Sequence, residues 1–108
     1  MTQDDIERLG ILEQNLSSLV ANRQHLQKQI LELEEAVKEL ETVEDAYQIV
    51  GTVMLKKSSK DLQKELSEKK ETTTVKLESI QQQEKVLRDQ LKKVQDSVMA
   101  ELKKSQGD

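Results

Sequence analysis

Cysteine, proline, tryptophan and phenylalanine are all absent from the 108 residues, and Tyr47 is the only aromatic side chain. Without cysteine there is no disulfide, thiolate metal site or thiol nucleophile, which fits a reducing compartment. Without large aromatics a compact globular core of this length loses the side chains that normally fill it. No apolar run approaches the ~18 residues needed to span a bilayer, so no membrane partner is expected. The start, Met-Thr-Gln-Asp-Asp-Ile-Glu, is acidic and lacks a signal-peptide pattern, so a cytoplasmic chain is expected. A net charge of −4 argues against nucleic acid and against an anionic membrane surface. The three glycines, Gly10, Gly51 and Gly107, are isolated and form no phosphate loop. His25 is the single histidine; it falls at a solvent-facing c position of the heptad described below and has no converging metal ligands. The many carboxylates read as a solvated face, because no frame holds two of them around a substrate. No catalytic residue, metal or cofactor is expected, and the chain is not read as an enzyme.

What is present is leucine, isoleucine and valine, 29 of 108 residues, with 35% charged residues. That apolar content lies above the ~20% below which disorder becomes the default, so the class is a long helical protein. Leu9, Leu12, Leu16, Leu19, Arg23, Leu26, Ile30, Leu33, Val37 and Leu40 are separated by alternating steps of three and four, and only Arg23 is polar. That is a coiled-coil stripe, and the first helix is expected from about residue 2 to about 43. The second is expected from about 58 to about 105, opened by the capping-box-like spacing of Ser58 and Asp61. Its stripe is Leu62, Leu66, Leu77, Ile80, Leu87, Leu91, Val94 and Val98, with Glu84 the polar exception. The eleven-residue step from Leu66 to Leu77 runs through Lys69 or Lys70 and Thr73, a stutter beside the weak helix formers Thr72, Thr73 and Thr74. The helix is expected to continue there with looser packing.

At ~1.5 Å per residue the helices would be roughly 60 and 70 Å long, and neither can hide its stripe alone. An antiparallel hairpin is the simplest solution. Charge favours that orientation: Glu32, Glu34, Glu35, Glu39, Glu41, Glu44 and Asp45 crowd the end of the first helix, and Lys56, Lys57, Lys60, Lys64, Lys69 and Lys70 the start of the second. Each cluster opposes its own helix macrodipole, and folding back sets them side by side. The same fold brings Arg23 within a turn of Glu84, where the two either pair across the seam or snorkel separately.

The bridge differs in kind. Tyr47-Gln48-Ile49-Val50-Gly51-Thr52-Val53-Met54-Leu55-Lys56 is rich in β-branched residues, and Gly51-Thr52 suits a two-residue type II′ turn. A hairpin over about 46–57 would set Val50 opposite Val53 and Ile49 opposite Met54. One face would carry Tyr47, Ile49 and Met54, the other Val50, Val53 and Leu55. Both faces are apolar and an isolated hairpin is marginal in water, so oligomerisation through strands is expected, most simply by closure into a shared barrel. The competing reading is an apolar loop folded onto the coiled coil.

The segment Ala46 to Lys56 resembles the aromatic-x-x-V-G-x-x-L-x-K pattern of prefoldin β-type subunits. Leu62, Leu66 and Glu-Lys-Lys-Glu (Glu68 to Glu71) resemble that family's early second helix. The resemblance covers essentially the whole of 1–108 as a single prefoldin-like domain: an all-α dominated fold, with one β-hairpin at the bridge of a long antiparallel coiled coil. It implies a hetero-hexamer of two α-type and four β-type subunits on a β-barrel platform built from their hairpins, including Tyr47, Ile49, Val50, Gly51, Val53, Met54 and Leu55. It also implies an ATP-independent chaperone that holds unfolded client proteins and passes them to a group II chaperonin. The alternative is a structural coiled-coil tether, which has no use for a hairpin apolar on both faces.

Holding an unfolded chain requires exposed apolar surface, expected at the distal tip where the termini meet. Residues 11 to 22 carry one charged side chain, Glu13, and Ile11, Val20 and Ala21 widen the stripe. Ile6, Leu9, Ile11, Leu12, Val98, Met99 and Leu102 are therefore the candidate client-binding residues. Leu9, Leu12 and Val98 also fit as the end of the seam, whereas Ile6, Ile11, Met99 and Leu102 lie off it.

Overall fold

The computed structural model describes residues 3–106; the expected helix start at Thr2, and Gly107, lie outside them. The order is α1 (Gln3–Leu40), β1 (Asp45–Val50), β2 (Val53–Ser58) and α2 (Ser59–Gln106). The chain forms two compact units. One is His25–Leu77; the other joins the residues up to Gln24 with those from Glu78 onward.

In the hairpin-bearing unit, α1 stops at Leu40, three residues before the expected end. The amides of Glu41, Thr42 and Val43 bond three residues back, to the carbonyls of Lys38, Glu39 and Leu40, at 3.3, 3.3 and 3.4 Å. These tight bonds end the helix, and the Thr42 hydroxyl donates to the Glu39 carbonyl at 2.9 Å. The Ser59 hydroxyl donates to the Leu40 carbonyl, and the Ser59 amide donates to the Glu44 carbonyl at 2.9 Å. Ser58 caps α2 by accepting the Asp61 amide at 3.2 Å, as its spacing predicts. Adjacent serines thus act in opposite directions, one opening α2 and the other closing α1.

The strands pair antiparallel from Asp45↔Ser58 to Val50↔Val53, with Ile49↔Met54 in the expected register. Gly51 has φ +61°, and no described non-glycine residue has positive φ. A positive first central residue followed by a negative second is the type II′ pattern read from Gly51-Thr52.

Along α2 in this unit beyond Ser59, Leu62, Gln63, Leu66, Lys70, Thr73, Thr74 and Leu77 are the less exposed positions, and Lys70 is covered more than Lys69. The helix continues through the three threonines. Their hydroxyls donate to the carbonyls of Glu68, Lys69 and Lys70 at 3.1, 2.8 and 2.8 Å, which satisfies them inside a helix. Leu40, Leu62, Ser59 and Thr73 are buried.

In the terminal unit the two helix segments run antiparallel: one cleft is lined by Asn15, Leu19 and Asn22 with Gln83 and Leu87, and Arg23 meets Glu84. Leu12, Val94 and Glu84 are buried. Leu9, Leu16, Leu19, Ile80, Leu87, Leu91 and Val98 are half-buried, as a two-helix seam open along both flanks must leave them.

Candidate functional site

Two surfaces gather apolar side chains that the chain itself leaves exposed; Leu31, Val75 and Val86 are exposed elsewhere on the helices. The first is the hairpin. Tyr47, Ile49, Val50, Val53, Met54 and Leu55 are all exposed, Ile49 the most, at 70%. Strand alternation divides them between two faces. Tyr47, Ile49 and Met54 share one with Asp45, Lys56 and Ser58, and every residue on it is exposed. Val50, Val53 and Leu55 share the other with Ala46, Gln48 and Lys57, and only those last three are half-buried. Gly51 sits at the turn between them. The sheet has two strands, so each strand keeps one edge of backbone groups unpaired within the chain.

An open apolar cleft of about 470 Å³ adjoins the hairpin, lined among others by Leu40, Val43, Ala46, Ile49, Leu62 and Leu66. Sequence reasoning missed Val43. Its signal is an apolar residue placed after the helix has ended, where the seam no longer needs it.

The second surface is on the terminal unit. Arg23–Glu84 fixes which residues are level, and about ten residues further along that register brings Leu12 level with Val94, both buried. Leu9 comes level with Val98, both half-buried. Ile6, Ile11, Met99 and Leu102 are exposed, at 40 to 60%. The seven candidates therefore divide as their spacing predicts, three on the seam and four off it.

The electrostatics are more local than the two charge clusters imply. Among the described residues one ion pair joins the acidic part of α1 to the basic part of α2, Lys70–Glu34 at 3.1 Å. Lys56 pairs across the hairpin with Asp45 at 3.5 Å, and Lys57 reaches Glu65 in its own neighbourhood at 2.8 Å. Lysine side chains take the nearest carboxylate, and surface pairs contribute only ~0–1 kcal/mol. The Lys57 hydrogen bond holds the Glu65 carboxyl below its ordinary value. Glu84 is held low by a hydrogen bond from Arg88, and also by Arg23, against burial, which acts to raise it.

His25 is exposed, and no group of three or more metal-binding side chains occurs among the described residues. No described helix is long and apolar enough to cross a membrane.

The model of the prefoldin subunit family matches residues 3–105, nearly the whole chain. The chain belongs to the prefoldin family. It is 32% identical to the prefoldin subunit beta of Archaeoglobus fulgidus over 96 residues, 86% of this chain and 83% of that one. It is 33% identical to the prefoldin subunit beta of Thermococcus onnurineus over 105 residues, 92% of this chain and 90% of that one. The crystal structure of the prefoldin beta subunit from Thermococcus strain KS-1 superposes with a TM-score of 0.85 at 30% identity, covering 93% of this chain and 90% of that one. The single hairpin between two helices is thus the β-type prefoldin architecture, and the chain has the chaperone-type role of that family, which is not a family of enzymes. Prefoldin membership implies assembly with other prefoldin subunits.

Proposed function

We propose that this chain is one of four β-type subunits that join two α-type subunits in a hexamer, and that the hexamer holds unfolded proteins without ATP and passes them to a group II chaperonin. The observation that carries the assembly half is the hairpin: six large side chains exposed on both faces, with two open edges. A strand pair with that surface is completed by other strands, and a closed barrel leaves no edge. The holding half is supported by Ile6, Ile11, Met99 and Leu102, which lie outside the seam and face solvent. Leu9, Leu12 and Val98 lie on the seam and are less exposed. Apolar contact is worth roughly 25 cal/mol per Å² and is non-directional, so it accepts many client sequences. Met99 adds a flexible, polarizable side chain that adapts to different shapes.

The test replaces Ile6, Met99 and Leu102 together by Ser in the assembled complex. Light scattering is expected to give an unchanged mass near six chains, while suppression of aggregation of a denatured client weakens several-fold. Unchanged suppression by an intact hexamer would remove the terminal surface from the proposal.

A further inference from the structure

The terminal helical pair has a polar cluster inside an otherwise apolar seam. Arg23 is the one polar member of the α1 stripe, and Glu84 interrupts the regular part of the α2 stripe. Arg23 Nε donates to Glu84 Oε2 at 2.8 Å, and Arg88 Nη2, one turn along α2, donates to Glu84 Oε1 at 2.9 Å. Both carboxylate oxygens therefore receive a charged donor, and the Glu84 side chain keeps only 9% of its exposure.

We propose that Arg23, Glu84 and Arg88 form a register lock, which selects one alignment of the terminal helices among several that the apolar residues alone would accept. A heptad seam is nearly degenerate under a seven-residue slip, because leucine then meets leucine again. Slipping this seam by seven residues sets Glu84 opposite Leu16 or Ile30, and Arg23 opposite Leu77 or Leu91. Each slipped state sets the Glu84 carboxylate against leucine or isoleucine with only Arg88 of its own helix still beside it, and losing the cross-seam partner in such a place is disfavoured. The hairpin-bearing unit has a backbone tie of its own, from the Ser59 amide to the Glu44 carbonyl. α1 and α2 run unbroken from that tie into the terminal pair, so the tie already opposes a rigid slip; within the pair no backbone bond joins the helices among the described residues, and there the alignment is held by side chains. The cluster decides specificity more than stability, because replacing a buried ion pair by apolar residues of similar volume is often neutral or stabilising. The lock fixes which of the exposed apolar residues stand level with one another.

The absence of cysteine makes the test direct. Spin labels are placed on Glu13→Cys and Gln81→Cys in the full chain, diluted with unlabelled chain of the same seam sequence. The labels stand well apart along the pair, so a heptad slip changes their distance by up to about 10 Å. The native seam is expected to give one narrow distance distribution. Arg23→Leu with Glu84→Leu is expected to keep full helicity and an equal or higher melting temperature, yet to show a second or broadened distance. Arg23→Glu alone sets two carboxylates together and is expected to lose the single distance. Inverting all three charges, Arg23→Glu with Glu84→Arg and Arg88→Glu, is expected to restore it. A single native distance in the leucine variant would overturn the lock. So would a helical charge-inverted variant with a broad distribution, and that variant decides the matter if the leucine variant fails to fold.

Discussion

The hairpin and the terminal helical pair hold comparable apolar side chains and treat them in opposite ways. In the terminal pair the apolar residues recur at helical spacing, so each helix shows one stripe, and a second stripe in the same chain covers it. Leu12 and Val94 are buried as a result. In the hairpin the spacing is two, so apolar residues fall on both faces, and the large ones on each stay exposed among the described residues. Tyr47, Ile49 and Met54 remain more than 60% exposed. The helical pair covers its own stripe, whereas the hairpin leaves its large apolar side chains exposed. Under the proposed assembly, stability of the chain and competence to assemble are carried by different residues.

The largest expected effect separates those two properties. Ile49→Ser with Met54→Ser removes apolar surface that the chain does not bury, so helical content and melting temperature should barely move. Assembly with other prefoldin subunits should be lost, read as a fall in mass by light scattering. A full-size assembly would break the comparison. Next in size is a contrast between sequence neighbours. Leu12→Ala should destabilise the chain by about 2–3 kcal/mol in urea unfolding, as truncation of a buried leucine does. Ile11→Ala, one residue away and exposed, should stay within about 0.5 kcal/mol. Equal effects would mean that the seam does not run through Leu12.

The smallest effect is in acid. Glu84 has a lowered folded-state pKa, from Arg88 and Arg23 acting against burial, so its contribution is fully present above the unfolded value near 4.5. It is lost as pH falls through the lower folded value. Stability should therefore drop on acidification below about that point, and Glu84→Gln should flatten the acid limb of a melting-temperature profile. Glu65 has the same sign of shift, from Lys57, but is exposed, so Glu65→Gln should flatten it less.

Periodicity made the helices legible, because a three–four rhythm over many turns puts the apolar residues on one side of a helix and on no one side of a strand. The hairpin was legible from one dipeptide: Gly51 supplies the positive φ that the turn requires, and the residues flanking it set the register. The end of α1 was less so. The stripe allows helix through Val43, but the chain turns at Leu40, whose carbonyl accepts the Ser59 hydroxyl while the Glu44 carbonyl accepts the Ser59 amide, contacts that no local pattern announces. The clusters of glutamate and lysine marked the antiparallel orientation yet gave one direct α1–α2 pair in that region among the described residues, since flexible lysines reach the nearest carboxylate. The four off-seam candidates could be separated from the three on it by heptad position alone.

By itself the sequence determined two long helices, an antiparallel return, a two-residue turn and a strand pair apolar on both faces. These follow from spacing and from glycine's conformational freedom, which act over a few neighbouring residues. Only the tertiary structure decided that Arg23 and Glu84 meet rather than snorkel apart, that Lys70 pairs with Glu34, and where α1 stops. Those outcomes depend on how residues far apart in the chain are aligned. That alignment is set by hydrogen bonds and charges that find their partners only once the helices have come together.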